Sequence, residues 1–584
     1  MRTARETPSD RNEKLCGREV MDITNEKRGG LTRRGFIGLG ALAAAGSMVG
    51  LAGCAPQNDG SGQADAAPND NAQAGTDWLG AEPEVTDIAR TEETDFLIIG
   101  AGTAGMCAAG TAADLDLDFI LCEKNDSVQE TREYLGAVNT MYTPEGAEVD
   151  KAKLLNELTR YASGKCDQEV IKVWIDESAE MIEWFAPMME AAGKQTVFDT
   201  PPAHPSGGTD YYMPYLQHVY LPPYTPPMRN DVLAEHIEGL GHEIRYKHEL
   251  VKLVHDGAKV TGAIFSTSDG NVQINAKDTL LATGGYPANP VMMSALQPAA
   301  LECCTASSYA PNNDGYGLKA GLWAGGVKDA DPAPMIFDRG AVEPGVDCGY
   351  VGEGEKAMLP GTIFQENIGS QPFMKVNRNG KRFVNESMPY DFMCFAASYQ
   401  PGGVWCQVFD GNASDDILRF STVGCSAFAN QMMAAGMPID EFCAVALEQG
   451  VMVKADTLEE LAEKMQLPKE EFLAQVDEYN EMFDNQEDTQ FGKEAYRLSA
   501  LRTPPFYGCW FGGSLLTTLD GLRINKDCQV IGKDGGVIEG LYAAGDVSGS
   551  FFSGNYPEYI VGCASGRTST QGRHVARLLA GDLA

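Results

Sequence analysis

The chain has 584 residues, 43% hydrophobic and 9% aromatic, more than one hydrophobic core organises, so two domains with tails are expected. Its formal charge is −37, and since residues 1–53 carry nine Lys/Arg against six Asp/Glu, the rest stands near −40. Such a surface repels nucleic acid and suits either plain solvation or the steering of a basic partner such as a cytochrome.

Fifteen cysteines include no C-x-x-C pair. That pattern offers neither a closely spaced thiolate metal site nor a haem attachment motif, and no metal is expected. Most cysteines, the adjacent Cys303 and Cys304 included, read as small buried hydrophobes.

Taken in chain order, Thr32-Arg33-Arg34-Gly35-Phe36-Ile37 pairs two arginines ahead of an uncharged, small-residue run ending at Gly53. That is the layout of an export signal, and the paired arginines resemble the twin-arginine type, which serves proteins that fold before export. Leu51-Ala52-Gly53-Cys54 resembles a lipobox, which implies lipidation at Cys54 and an anchor on the outer face of the cytoplasmic membrane. Simple cleavage, or retention of the segment as an anchor, are the alternatives. Residues 54–91 begin rich in Ala, Asp, Asn, Gly, Gln and Pro and read as a flexible linker.

Asp95-Phe96-Leu97-Ile98-Ile99 predicts a buried parallel strand. Gly100-Ala101-Gly102-Thr103-Ala104-Gly105 follows at once, then an alanine-rich helix, then a second apolar run, Asp118 to Cys122, closed by Glu123 and Lys124. In this context the glycines have distinct duties. Gly100 permits the tight turn, Gly102 admits a pyrophosphate against the backbone, and Gly105 lets helix and strand close up. The helix N-terminus, from Thr103 and Ala104, offers amides and a positive dipole end to phosphate. Glu123 is placed for ribose hydroxyls. The pattern establishes a dinucleotide without separating FAD from NAD.

Remote segments separate them. Ala-Lys-Asp-Thr-Leu-Leu-Ala-Thr-Gly-Gly-Tyr spans 276–286, Gly-Lys-Arg-Phe-Val-Asn-Glu spans 380–386, Thr-Pro-Pro-Phe-Tyr spans 503–507, and Gly-Leu-Tyr-Ala-Ala-Gly-Asp spans 540–546. Together, over roughly residues 92–580, they resemble the FAD-dependent family of soluble fumarate reductases, urocanate reductases and ketosteroid dehydrogenases, with succinate dehydrogenase flavoproteins further off. The resemblance implies noncovalent FAD and an α/β fold: a Rossmann-like FAD-binding domain, 92–290 and 505–584, with an inserted α+β capping domain, 291–504. It places Ala282, Thr283 and Gly284 near the cofactor, with Val251. Gly545 and Asp546 fall on the flavin's sugar chain, Asp standing where Glu is usual. Thr131 and Gly136-Ala137-Val138-Asn139 wrap pyrophosphate and flavin. Asp314 belongs to a Gly-Asp-Gly-like turn, and Val561 and Gly562 approach the flavin pyrimidine edge at a helix start.

The substrate machinery departs from that family. Its proton-donating arginine is Tyr390 here, a phenol able to donate a proton but without the charge that clamps a dicarboxylate. Tyr390 could also simply line the pocket. Glu366 occupies the first relay position and Gly369 the second; Glu366 reads as a relay or as an ordinary loop acid. Thr517 replaces a substrate-binding histidine, and a further histidine near Met335 to Phe337 is absent. The expectation is an oxidoreductase that reduces an activated C=C bond of a larger, non-dicarboxylate molecule. Electrons would come from an external donor, a membrane-linked cytochrome or quinol-linked carrier. A dehydrogenase running in reverse and a non-catalytic flavin lipoprotein are the alternatives.

Overall fold

The structure is a computed structural model that describes residues 78–129, 134–198, 211–221, 225–307 and 312–583. Arg33, Arg34, Cys54 and Thr131 lie outside the described residues, as does nearly all of the expected linker.

The first sheet runs in the order Gln529–Ile531, Val537–Ala543, Gly270–Leu281, Ile88–Ile99, Phe119–Cys122, Ile244–Arg245. Its centre is parallel, with Ile98 opposite both Leu121 and Leu280. All three are fully buried, as strands covered on both faces must be, which is why they read as continuous apolar runs. The strand starts at Ile88 and pairs with Gly270–Leu281 from there, so the last residues assigned to the linker, 88–91, are strand. The hairpin Glu249–His255 and Val260–Thr267 extends the sheet antiparallel.

Helix Thr103–Asp114 lies under the C-terminal helix Cys563–Leu579, and Gly572 allows the approach, since a Cβ there would overlap the Ala104 carbonyl. The C-terminal helix is thereby fastened to the helix that follows the dinucleotide loop.

The second sheet is built around Phe506–Thr518, buried at all thirteen positions. It pairs antiparallel with Trp405–Phe409, Pro334–Val342 and Met452–Ala455 and parallel with Cys304–Ser307. The chain therefore stays in the capping sheet until Thr518 and rejoins the first sheet at Gln529, later than the break expected at 505. Outside this sheet, Thr457 caps Leu458–Lys464 by accepting from the Glu460 amide at 3.1 Å. Leu461, Met465, Phe472, Val476 and Tyr479 fill a separate core beside it, as their helical spacing predicts.

Among the described residues no helix is long and apolar enough to cross a membrane, no group of His, Cys, Asp and Glu could hold a metal, and thirteen cysteines are free thiols.

Candidate active site

One continuous cleft runs from the glycine loop to the second sheet. At its near end the backbone is packed too closely for side chains. A Cβ on Gly100 would stand 2.5 Å from the Ala282 carbonyl oxygen, and one on Gly105 would overlap the Gly100 carbonyl. Gly102 faces open space, no side chain caps the helix that follows, and that end opens into the cleft. These are the conditions for an anion on helix amides. Thr283, in the cleft lining, contributes a buried hydroxyl with no partner among the described residues, which a ligand would complete.

Glu123 lines the cleft and is already engaged: its carboxylate accepts from the Ala101 amide at 2.7 Å and from the Asn125 amide at 2.9 Å. Lys124 pairs with Asp314 at 2.9 Å and donates to the Asn312 carbonyl at 2.6 Å. Further along, Gly545 and Asp546 line the wall. Asp546 accepts from Thr517 Oγ1 at 2.8 Å and from the fully buried Arg567 at 3.3 Å. Burial pushes the Asp546 carboxyl up and Arg567 opposes it.

The structure thus brings together Gly100, Gly102, Thr103, Ala104, Glu123, Lys124, Ala282, Thr283, Gly284, Asp314, Gly545, Asp546, Val561, Gly562, Tyr390 and Thr517 along one cleft. Gly105 serves from beneath. Gly136, Ala137, Val138 and Asn139 stand behind the wall. The Gly136 amide donates to the Gly562 carbonyl at 2.8 Å, and Asn139 bonds both backbone groups of Val149. Val251 does not face the cleft: strand alternation puts Leu250 there, and the Val251 carbonyl accepts from the Tyr316 hydroxyl at 2.8 Å.

Of two residues expected in catalysis, Thr517 lines the cleft with its hydroxyl engaged and Glu366 lies outside the lining. Thr517 spends its hydroxyl on Asp546, which makes it a holder of the cofactor-side acid. Glu366 is 5% exposed and outside the cleft lining. Burial pushes its carboxyl up to about 7, against the Ile368 amide and the pull of Arg339. The Thr517 placement has a measurable consequence. Thr517→Val removes one hydrogen bond to an acid, on the order of 1.5–3 kcal/mol. FAD dissociation should rise about tenfold or more, with turnover restored by added FAD, read by flavin fluorescence titration.

The far end is aromatic. Met335 and Phe337 come from Pro334–Val342, Tyr390 opens helix Tyr390–Ala397, and Tyr556 and Glu558 precede the C-terminal helix. Tyr390 meets Phe337 edge-on at 4.6 Å. Burial pushes both the Tyr390 and Tyr556 phenols well above 10. Sequence reasoning missed Glu558, the acid among these residues, because Asn555-Tyr556-Pro557-Glu558 follows a gap in the family pattern. A glutamate after a proline gives no periodic signal.

Comparisons with known proteins agree with this geometry. The chain is 27% identical to a vinyl phenol reductase of Lactiplantibacillus plantarum over 84% of its own length and 98% of that protein. It is 31% identical to an NADH:acrylate oxidoreductase of Vibrio harveyi over 56% of this chain and 29% of that one. In three dimensions it resembles a 3-ketosteroid Δ1-dehydrogenase from Sterolibacterium denitrificans, with a TM-score of 0.62, 18% identity, and coverage of 84% of this chain and 100% of that one. The profile of the FAD binding domain family matches residues 95–559: the chain belongs to that family and binds FAD.

Proposed function

We propose that this flavoprotein reduces an activated C=C bond in a neutral or aromatic organic molecule, with Tyr390 giving the proton. The observation that carries the reading is the Tyr390 side chain. It lines the cleft, and its hydroxyl has no hydrogen-bond partner among the described residues. Bound FAD supplies hydride from its N5 position.

The protein's part is the proton and the electrophile. Burial keeps Tyr390 protonated until a strongly basic carbon needs the proton. Tyr556 accepts from the Ala564 amide at 3.4 Å, which leaves its own proton to donate to the group conjugated with the double bond. Lys124 is the one Lys or Arg among the described lining residues, and it sits at the opposite end with Asp314. Among the described lining residues nothing at the aromatic end clamps two carboxylates, so small dicarboxylates are disfavoured.

The test is anaerobic. FAD-loaded protein is reduced with a dye and mixed with vinyl phenols, hydroxycinnamates, enones and fumarate. Rapid flavin reoxidation by a neutral aromatic and not by fumarate is the expected outcome; reoxidation by fumarate alone overturns it.

The same reading places the protein outside the cytoplasm, exported through Arg33 and Arg34 and anchored by lipid on Cys54, with electrons from a membrane-linked cytochrome or quinol-linked carrier. The support is the motif order and the acidic surface. Replacing both arginines by lysine should retain the protein in the cytoplasm, and Cys54→Ser should abolish incorporation of labelled fatty acid; export or labelling unchanged in these variants removes the corresponding claim.

A further inference from the structure

We propose that Glu558 and Asp391, two buried acids beside Tyr390, form its proton supply. The inference rests on the reductive role of Tyr390 argued above. Once Tyr390 has given its proton it is a phenolate in a dry site and must be recharged.

Glu558 is in place to do so. Its carboxylate accepts from the Tyr390 amide at 2.6 Å, with the Ser426 hydroxyl at 3.4 Å on its other oxygen. It lines the cleft beside Tyr390 while 6% exposed. Asp391, the next residue on the helix, is fully buried, and neither of its oxygens has a hydrogen-bond partner among the described residues. The amides of Phe392 and Tyr556 lie near enough to favour its anion without completing a bond.

The groups that face the pair oppose ionisation. Asp338, from the strand Pro334–Val342, acts on both acids, and they act on each other; Arg339 favours the anion at Glu558. Asp391 in turn acts on Tyr161 from the helix Lys151–Tyr161, on Tyr211, and on the thiols of Cys303 and Cys394. For Asp391 an ion without a completed hydrogen bond is costly in such a place, and at Glu558 burial outweighs Arg339 and the bond from the Tyr390 amide. Burial pushes Asp391 up to about 7 and Glu558 well above its usual range.

Tyr161, on which Asp391 acts, completes the proposed path to solvent. Its hydroxyl is buried without a partner among the described residues. Its ring lies 5.9 Å from Phe392 and 5.1 Å from Arg160, which is exposed and paired with Glu157. The steps balance as proton transfers alone. The Tyr390 O–H breaks as the substrate C–H forms, Glu558 returns a proton to Tyr390, Asp391 returns one to Glu558, and water, through Tyr161, returns one to Asp391.

Infrared spectra of the FAD-loaded protein at pH 6, with Asp391→Asn and Glu558→Gln, test the idea. Each neutral isostere should delete one component of the protonated-carboxyl band; a spectrum unchanged by either substitution overturns the proposal. Melting temperature is the second reading. Raised carboxyls in the folded state make the wild type lose stability as pH rises from about 4 to about 7, and Asp391→Asn should lose less; equal slopes count against it. On a substrate found above, Asp391→Asn should slow turnover on the order of tenfold to a hundredfold and remove a pH dependence near 7. Because Asp391 acts only through Glu558 and Tyr390, that profile separates supply from packing. If Asp391→Asn does not fold, Tyr161→Phe decides: FAD bound normally and turnover about tenfold slower supports the path, and unchanged turnover removes it. If no compound is reduced by any of these proteins, the reductive reading fails by itself, and the infrared bands still decide whether the pair is protonated.

Discussion

Tyr390→Phe should lower turnover of a reducible substrate by about 10²–10⁴-fold, the range for loss of one positioned acid, and leave the flavin spectrum and melting temperature nearly unchanged. The substitution deletes a single hydroxyl. No protein hydrogen bond is lost with it, since the bond that Tyr390 makes is through its backbone amide to Glu558. The edge-on contact with Phe337 at 4.6 Å is kept, so the ring still fills its place. Few active-site substitutions separate chemistry from packing so well. The measurement is single-turnover reoxidation of dye-reduced flavin. A wild-type rate in the variant would take the proton away from Tyr390 and leave Glu558, the neighbouring carboxyl in the cleft, to be tested by Glu558→Gln in the same way. A slow rate with a shifted flavin spectrum would instead mean that the hydroxyl holds the cofactor environment.

The near end of the cleft was legible in the sequence because its constraints are local. A strand, a glycine loop, a helix and an acid within thirty residues leave little freedom, and Gly100, Gly102 and Glu123 stand where the spacing puts them. Ala282 to Gly284 and Asp546 also needed no structure, since each ends a strand of the first sheet and opens on the same crevice. Legibility ended where contacts are made across the chain. Thr517 looked like a substrate contact by alignment to a histidine, yet twenty-nine residues on stands the acid that takes its hydroxyl. Glu366 looked like a relay by position, and the fold buries it beyond the cleft wall. Asp391 adjoins Tyr390 in sequence, but nothing in that adjacency tells that both its oxygens go without partners. The strand at 506–518 mixes seven apolar residues with three glycines and three hydroxyl residues without alternation, so its pattern could not say which sheet takes it; four partner strands settle that.

Arg382→Met should destabilise the folded protein by about 3–5 kcal/mol, the cost of removing one partner from a buried charge cluster. The Arg-Phe-Val-Asn-Glu segment, met first as a family signature, is in the structure an ionic anchor. Arg382 makes two bonds of 2.8 Å to Glu386 and bonds of 3.0 and 2.8 Å to Asp488, with all three side chains fully buried. Lys493 adds a contact of 3.4 Å to Glu386. Methionine fills the volume but leaves two carboxylates with one ammonium between them. The pH dependence gives the cause away. In the wild type, Arg382 and then Lys493 pull Glu386 down to about 2 despite its burial, and Asp488 lies lower still. Unfolded, both titrate near 4. Their contribution is therefore complete above about pH 4 and drains away as pH falls toward 2. The gap between wild type and variant should be widest at neutral pH and narrow in acid, read by denaturant unfolding at both. A gap that stays constant with pH would mean lost packing, not lost charge. The consequence reaches the cleft, because Glu386 is four residues from Tyr390 and the Tyr559 hydroxyl ties down the intervening Ser387 carbonyl at 2.8 Å. A loosened Glu386 lets the start of the Tyr390 helix drift, and a shift of about 1 Å in a positioned acid can cost about a hundredfold in rate. Arg382→Met should thus lose activity even where the protein remains folded, with Tyr390 itself untouched.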